Sequence, residues 1–338
     1  MSYLNSLKVG LTYNLKTGTK SINEDDEADL DDLSTVMQIK HAIESTGSTV
    51  VLMEANDTIV TSLTENTVDI VFNIAEGIKG RGREAQIPAL LNLLNIPFTG
   101  SDETTLGIAL DKALTKRVVM SESVVTPKFQ LFNSPKEKLK RKLLYPLIIK
   151  PNAEGSSKGI SDLSIAYNES ELYSLLTDII TKYSCNVLVE EYIRGREFTV
   201  GMIGNGNDIE ILPIMEIKFT GNKTENLYSY RVKKESETSI FCECPADLSP
   251  KLEKSIIKMA KKVFTVLDCK DVARIDLRID ERSDIPYFIE INPLPGLVDD
   301  YSDLVVIYKE SGHAYNELIV RILNEALSRY NLPKVEIQ

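Results

Sequence analysis

Two stretches of the chain alternate charged and apolar side chains: Ala273-Arg274-Ile275-Asp276-Leu277-Arg278 and Phe288-Ile289-Glu290-Ile291-Asn292-Pro293-Leu294-Pro295-Gly296. Alternation with a period of two predicts two β-strands, with Arg274 and Asp276 on one face of the first. Glu290 and Asn292 share a face of the second strand for the same reason. If the strands pair, Asp276, Glu290 and Asn292 present three oxygen ligands of the kind that Mg²⁺ prefers. The isoleucines between them indicate a sheet buried on its other side, and an exposed face without a ligand is the alternative.

A third stretch, from Pro146 to Ile160, runs from an apolar strand into a loop of small and polar residues. Lys150 lies at the end of the strand, and Ser156 and Ser157 lie in the loop. Backbone N–H groups in such a loop can converge on phosphate oxygens, while a lysine at its entry supplies positive charge. The Gly-x-x-x-x-Gly-Lys-Ser/Thr spacing of a Walker A loop is missing. A plain hairpin turn is the alternative.

A fourth stretch follows between Val187 and Val200, where an apolar strand ends in Glu190, Glu191 and Tyr192. After a turn, the chain re-enters a strand through Glu197. A carboxylate among apolar neighbours is costly unless it has a partner. A pair of ribose hydroxyls and an ordinary salt bridge are both suitable partners, and the spacing alone favours the salt bridge.

The composition limits the classes of function. The chain has 338 residues, 39 basic and 50 acidic side chains and a net charge of −11. This balance argues against a nucleic-acid or anionic-membrane partner, since both need a basic face. No apolar run approaches the roughly 18 residues of a membrane span. With two histidines and four cysteines outside zinc or thioredoxin spacing, zinc chemistry is not expected. We expect a cytoplasmic protein with reduced thiols.

The order of apolar strands and amphipathic helices predicts an α/β (α+β) protein of three parts. Residues 1–105 alternate strands and helices, which indicates an α/β domain with a parallel sheet. Residues 106–195 carry the glycine-bearing loop, and residues 196–338 carry the paired carboxylate strands. The strands expected outside the middle part are Lys8–Tyr13, Thr49–Met53, Val68–Ile74, Glu197–Ile203, Ile209–Ile214, Val272–Ile279 and Tyr287–Ile291.

Taken together, these stretches resemble the D-alanine–D-alanine ligase family of the ATP-grasp superfamily. The segment Ile96–Ser101, then Leu110-Asp111-Lys112 and Thr115-Lys116, also looks like the family's entry into its ATP-grasp region. The likeness runs from about residue 68 to residue 330. It implies an ATP-grasp fold of three domains, with residues 1–105 as the N-terminal pre-ATP-grasp domain, 106–195 as the first ATP-grasp subdomain and 196–338 as the C-terminal subdomain.

The resemblance implies roles for individual residues. ATP would be bound by Lys112, Lys150, Ser156, Ser157, Glu190, Glu191, Tyr192, Ile193, Glu197 and Lys233. Two Mg²⁺ ions, or Mn²⁺ in their place, would be held by Asp276, Glu290 and Asn292. The catalytic group would consist of Arg274, Gly296, Ser156 and Lys233. In it, Arg274 and the backbone N–H of Gly296 would face the oxyanion of acyl transfer. Lys233 would belong to a mobile lid running from about Phe219 to Glu237.

The match departs from the family where amino-acid substrates would bind. The N-terminal glycine-rich segment with its substrate-binding glutamate is missing. Glu76 stands where the family has a histidine, and Lys234 stands where its D-alanine ligases usually have a tyrosine. Near Tyr301, the segment Val298–Ser302 replaces a serine-bearing stretch. Glu76, Lys234 and Tyr301 are therefore the candidate substrate residues, and the ligase chemistry is better supported than a dipeptide product.

The implied function is an ATP-dependent, ADP-forming ligase that joins a carboxylate to an amine through an acyl phosphate. The partners would be small amino-acid-type substrates, and a homodimer is left open. One alternative is a ligase joining another amino acid or specialised metabolite to an amine, and another is a non-catalytic ATP-binding regulator. Lys234 favours a substrate with an extra acidic group. If Lys234 instead points to solvent, Glu76 can serve plain D-alanine, and both readings stay open.

Overall fold

A computed structural model describes residues 6–16, 27, 30–140, 142–154, 164–219 and 240–338. Its first sheet is parallel, in the order β2-β1-β3. The elements are β1 (Lys8–Tyr13), α1 (Leu33–Glu44), β2 (Thr49–Glu54), α2 (Ile59–Glu65), β3 (Ile70–Asn73), a short 3₁₀ helix (Arg83–Ala85) and α3 (Gln86–Leu93). The strands are short and mostly apolar because helices cover both faces of such a sheet. The predicted N-terminal parallel sheet is confirmed.

The second sheet is antiparallel and has the order β4-β7-β5-β6. Its elements and the two helices before it are α4 (Glu103–Leu110), α5 (Lys112–Ser121), β4 (Phe129–Phe132), β5 (Leu147–Pro151), β6 (Ile165–Ala166), α6 (Glu169–Tyr183) and β7 (Val187–Glu191). The backbone N–H of Leu114 donates to Asp111 at 2.8 Å, and that of Glu171 donates to Asn168 at 3.0 Å. These two side chains cap α5 and α6 because the first N–H groups of a helix lack helical partners.

The third sheet holds the paired carboxylate strands. Its path is β11-β10-β8-β12-β13, with β9 paired to β8. The elements are β8 (Gly195–Ile203), β9 (Glu210–Ile211), β10 (Met215–Phe219), β11 (Ile240–Glu243), α7 (Pro250–Val266), β12 (Val272–Asp280) and β13 (Pro286–Asn292). Helix α7 buries Ile256, Ala260, Val263 and Phe264 against one face of this sheet. The opposite face is left to the charged residues of β12 and β13.

The prediction of one strand over Ile209–Ile214 is wrong. Only Glu210–Ile211 pairs there, as β9, and the longer strand is Met215–Phe219. Pro213 has no N–H to donate to a ladder, so the apolar run cannot continue as one paired strand.

The two ends of the described chain share one hydrophobic core. After β13 come α8 (Asp303–Glu310), which contacts β8, and α9 (Tyr315–Arg329), which packs on α1. The core between them includes Val9, Leu11, Ile39, Ile43, Leu304, Ile307, Leu318, Ile322 and Leu323. No helix among the described residues is long and apolar enough to span a membrane.

One buried carboxylate, that of Asp271, links segments from different parts of the chain. Asp271 is 0% exposed, and its Oδ2 accepts hydrogen bonds from Gly100 N at 2.8 Å and Arg329 Nη2 at 2.8 Å. Arg329 Nη2 also donates to Phe98 O at 2.8 Å, and Asn205 Nδ2 donates to Asp271 Oδ1 at 2.9 Å. The segment after β3, the third sheet and the last helix therefore meet at one ion pair.

We predict that Arg329→Met lowers the free energy of unfolding by about 3–5 kcal/mol, because it leaves the buried Asp271 charge without its cation. Urea unfolding followed by circular dichroism measures this loss. The matched control is Arg321→Met on the same helix, because the Arg321 side chain is 44% exposed and its ion pair with Glu325 contributes about 0–1 kcal/mol. Equal small losses in both variants would contradict a fastening role for Arg329.

Candidate active site

Three charged side chains are buried together where the second and third sheets meet. Lys150 Nζ lies 2.6 Å from Glu190 Oε1, and Lys116 Nζ lies 3.0 Å from Glu190 Oε2. Lys116, Lys150 and Glu190 are 0%, 2% and 1% exposed. One carboxylate between two ammonium groups leaves an excess positive charge in a site shielded from water. Buried charge of this kind needs a partner, and a phosphate group is suited to that role.

The pKa shifts follow from this geometry. Burial lowers the pKa of Lys116 to about 8, although Glu190 opposes the change. Burial also disfavours the charge of Lys150, but Glu190 and Glu290 outweigh it and raise the pKa of this lysine. For Glu190, burial works against ionisation, and the two lysines nevertheless hold its pKa below the usual range. At neutral pH the three groups therefore keep an excess positive charge.

Helix α5 places two lysines over the site one turn apart. Lys116 Nζ donates to Ile289 O at 2.9 Å and to Thr126 Oγ1 at 2.9 Å. Lys112 Nζ donates to Glu154 O and lies 3.6 Å from Glu290 Oε2. Residues four apart share a helix face, so both lysines reach the same side. Lys112 and Lys116 therefore both reach β13, the strand that carries Glu290 and Asn292 of the predicted metal ligands.

The paired strands bring the predicted metal ligands together. Asp276 lies opposite Glu290 in the β12–β13 ladder, and Arg274 lies opposite Asn292. The register shifts next to Asp276, which leaves Ile289 without a partner as a β-bulge. Bulges turn the local backbone, and this one accompanies the hydrogen bond from Lys116 to the Ile289 carbonyl. The cross-strand placement inferred from alternation is therefore found in the structure.

This donor set fits Mg²⁺. Asp276 and Glu290 supply carboxylate oxygens and Asn292 an amide oxygen, and Mg²⁺ commonly takes one or two carboxylates together with phosphate oxygens and waters. Thr199 Oγ1 donates to Asp276 Oδ1 at 2.7 Å, and Asn292 Nδ2 donates to Asp276 Oδ2 at 3.4 Å. Within the described ranges, no group of three or more His, Cys, Asp or Glu side chains is placed to hold a metal, so the amide is needed to complete the set.

Arg274 is held between two carboxylates. Its Nη2 donates to Asp276 Oδ2 at 2.9 Å, and its Nη1 lies 3.0 Å from Asp303 Oδ2. Burial disfavours the guanidinium charge, but Asp276 and Asp303 outweigh it and raise the pKa of Arg274. A cation fixed in this way can stabilise a developing oxyanion without reorienting.

Arg278 organises the segment predicted to hold adenine and ribose. Its Nε donates to Ile193 O at 2.8 Å, and its Nη2 donates to the Tyr192 hydroxyl at 3.0 Å. Its Nη1 lies 2.5 Å from Glu197 Oε2, so Glu197 makes the salt bridge that its spacing favours. The Glu191 side chain makes a different contact, in which its Oε1 accepts a hydrogen bond from Leu144 N at 3.0 Å.

A cavity of about 440 Å³ collects three of the remaining predicted residues, Glu76, Gly296 and Tyr301. A side chain at Gly296 would place a Cβ 2.9 Å from Ser302 Oγ, so only glycine fits there without a shift. Four other predicted residues, Ser156, Ser157, Lys233 and Lys234, lie outside the described residues, as does nearly all of the expected lid.

Comparison with known proteins gives the family. The family model described as "D-ala D-ala ligase C-terminus" matches residues 118–324, which is more than half of the chain. The D-alanine–D-alanine ligase of Bordetella avium is 30% identical over 329 residues and covers 96% of each chain. The chain belongs to the D-alanine–D-alanine ligase family. An uncharacterised protein of Sinorhizobium fredii is 33% identical over 297 residues, 86% of each chain.

Solved structures of the family share the fold. The D-alanine–D-alanine ligase of Bacillus anthracis complexed with ATP has a TM-score of 0.76 at 23% identity and covers 97% of this chain and 99% of that one. The VanG D-Ala:D-Ser ligase of Enterococcus faecalis has a TM-score of 0.71 at 19% identity, with 95% and 99% covered. The ATP-grasp fold expected from the sequence is confirmed, and the chain is an enzyme of the carbon–nitrogen ligase class.

Several residues of this family member were not assigned roles from the sequence. Lys116 lies in the segment that resembles the family's entry into its ATP-grasp region, and its spacing of one helical turn from Lys112 could have indicated a role. Arg278 continues the alternation of Arg274 and Asp276 and could have been found from it. Asp303, which contacts Arg274 across the fold, gives no local signal.

The shifted pKa of Lys116 gives a prediction about stability and pH. Lys116 loses its proton near pH 8 when folded, against 10.5 ordinarily. Between these values the unfolded chain binds more protons, so the contribution of Lys116 to the free energy of unfolding rises with pH. We expect the free energy of unfolding of wild type to rise, relative to that of Lys116→Met, by about 1.4 kcal/mol per pH unit between pH 8 and pH 10.

Urea unfolding at each pH measures this difference. Lys258→Met, at an exposed position on α7, controls for the loss of a lysine as such. A difference between wild type and Lys116→Met that stays flat across the range would show that Lys116 keeps its proton there.

Proposed function

We propose that the protein is an ATP-dependent, ADP-forming ligase that joins a carboxylate to an amine through an acyl phosphate, using Mg²⁺. One observation carries the proposal: the excess positive charge at Lys116, Lys150 and Glu190 adjoins the oxygen donors of β12 and β13. Lys112 spans the two, lying 3.6 Å from Glu290. A site for phosphates beside oxygen ligands for Mg²⁺ is the arrangement that phosphoryl transfer needs.

Residues of the site divide the work of holding ATP. Lys112 and Lys150 contact phosphate oxygens. Glu190 and the backbone of the next three residues, Glu191 to Ile193, line the adenine pocket. Glu197 reaches the ribose while Arg278 fixes its orientation through their ion pair. A family member from Bacillus anthracis that shares this fold was solved with ATP. The same proposal divides the chain into three domains, residues 1–105, 106–195 and 196–338, which would meet around the nucleotide.

The reaction then needs positioning and charge stabilisation. A substrate carboxylate oxygen bonds to the γ-phosphorus and ADP leaves. The amine nitrogen then bonds to the acyl carbon, phosphate leaves, and the amine gives up a proton. Mg²⁺ held by Asp276, Glu290 and Asn292 supplies neutralisation of the phosphate charges when bound. Arg274 and the backbone N–H of Gly296 donate to the oxyanion of the tetrahedral intermediate.

We predict that Glu290→Gln lowers the rate of ADP formation by about 10²-fold or more, because one anionic metal ligand becomes neutral at unchanged shape. ADP release is measured with ATP, Mg²⁺ and saturating amino acids. The control is Glu281→Gln, an exposed position in the β12–β13 connection. Near wild-type rates in Glu290→Gln would show that the metal assignment is wrong. If wild type releases ADP at a rate that does not depend on amino acids, or releases no ADP, the result would favour a regulator over a ligase.

We also propose that the product is not D-alanyl-D-alanine, because this cavity differs from the family at Glu76 and Tyr301. Incubation with ATP, Mg²⁺ and D-alanine alone, followed by mass spectrometry, tests this. We expect no dipeptide at the rates typical of metabolic enzymes, about 1–10³ per second. Dipeptide formed at such rates would establish the reading in which a different carboxylate serves plain D-alanine.

A further inference from the structure

A second cavity, of about 580 Å³, lies beside α7. Three segments of the chain line it: residues 123–125 between α5 and β4, residues 249–262 at the start of α7 and within it, and residues 283–286 at the turn between β12 and β13. Small-molecule sites in proteins have volumes of about 300–1,000 Å³, so this cavity is large enough for a ligand. None of its lining residues belongs to the proposed nucleotide, metal or substrate sites.

Part of the lining is apolar and in contact with water. Val125 and Ile285 are each 41% exposed, and both line the cavity. The partly buried side chains of Leu252 and Met259 line it as well. Adjoining exposed apolar side chains mark a binding surface, whereas single ones are ordinary. A ligand with an apolar body would remove this surface from water, which is favourable.

The charged part of the lining is mainly basic. Lys251, Lys258 and Lys262 line the cavity, and the only carboxylate among its described lining residues is that of Asp284. In the part of the chain that the structure describes, these three lysines form no ion pair. The cavity therefore has an excess of positive charge, in a chain whose net charge is −11. This excess favours an anionic ligand.

The arrangement of these lysines disfavours the helix that carries them. They are separated by seven and four positions, so they lie along one face of α7. Lys258 and Lys262 are like charges at i and i+4, which destabilises a helix. Glu253, the one acidic residue of α7, is not three or four positions from any of the three. Local rules broken in this way are expected at functional sites, where a ligand can supply the compensation.

We infer that this cavity is a second ligand site, and that it binds a small carboxylate or phosphate that carries an alkyl or aromatic group. The lysines receive the anionic group, and the apolar side chains cover the rest of the ligand. Three short segments fit a small molecule better than a protein partner, whose interface needs about 800 Å² on each side. The site is separate from the proposed ligase site, because α7 packs on the face of the third sheet opposite to Asp276 and Glu290.

The fluorescence of anilinonaphthalene sulfonate, an aromatic anion, reports occupancy of the cavity in the whole chain. A non-hydrolysable ATP analogue and Mg²⁺ are kept at saturation, so that the dye does not report the nucleotide site. Octyl phosphate and octanoate, below the concentrations at which they form micelles, are the competing ligands and distinguish phosphate from carboxylate. Octanol lacks the charge, inorganic phosphate lacks the apolar body, and hexaglutamate stands for an acidic peptide.

The test variant combines Lys258→Gln with Lys262→Gln, and the matched control combines Lys254→Gln with Lys261→Gln. Both remove two positive charges from α7, but Lys254 and Lys261 do not line the cavity. Neither variant loses an ion pair with a described residue, so both should unfold at the wild-type temperature or above. The rate of ADP formation without competing ligands should also stay at the wild-type value in both.

We expect octyl phosphate, octanoate or both to displace the dye from wild type and from the control variant. Their Kd should be at least tenfold lower than that of octanol or inorganic phosphate, and at least tenfold higher in the test variant than in the control. A ligand that differs between the two variants in this way binds at the cavity, since the net charge of the two chains is the same.

Four results would overturn the inference. Equal affinity in the test and control variants, or no displacement by either octyl compound, would show that the cavity is not the site. Octanol as effective as the octyl anions would show an apolar patch without a site for charge. Inorganic phosphate as effective as octyl phosphate would show an adventitious ion only. Displacement by hexaglutamate, without displacement by the octyl anions, would assign the cavity to an acidic protein partner instead.

Discussion

The buried ammonium of Lys116 is the interaction on which the site depends. It reaches Glu190 on the second sheet and Ile289 O on the third, so one cation joins the two sheets that enclose the proposed nucleotide site. Glu190 also serves Lys150, and its single charge cannot neutralise both lysines. The bulge at Ile289 brings a main-chain carbonyl to Lys116 in place of a second carboxylate. The excess charge is thereby retained for an anionic ligand instead of being neutralised within the fold.

The frame around this cation is built from segments far apart in sequence. Asp271 connects the chain after β3 to the third sheet and to α9, and α9 packs on the first sheet. The sheets are thus held in place from both ends of the chain. The distances of 3.6 Å between Lys112 Nζ and Glu290 Oε2 and of 3.0 Å between Lys116 Nζ and Glu190 Oε2 can be set only by such packing, because no local stretch contains both partners of either pair.

The sequence predicted the parts of the site that obey a period and missed the parts that depend on contact. Alternation placed Asp276 and Glu290 together and could have placed Arg278. The bulge at Ile289 could not be predicted from the pattern, because adjacent apolar residues such as Phe288 and Ile289 also occur in regular strands. The apolar run ending at Ile214 suggested a strand that Pro213 prevents. The contact of Asp303 with Arg274 could not be predicted from the sequence, because it depends on which segments fold over β12.

The nucleotide half and the substrate half of the site are under different constraints. In the proposed function, phosphate and metal chemistry fixes both the sign and the spacing of charges, so Lys112, Lys150, Asp276 and Glu290 have little freedom. The proposed substrate cavity is lined by the chain before α1, after β3 and after β13, and these segments can change without moving those charges.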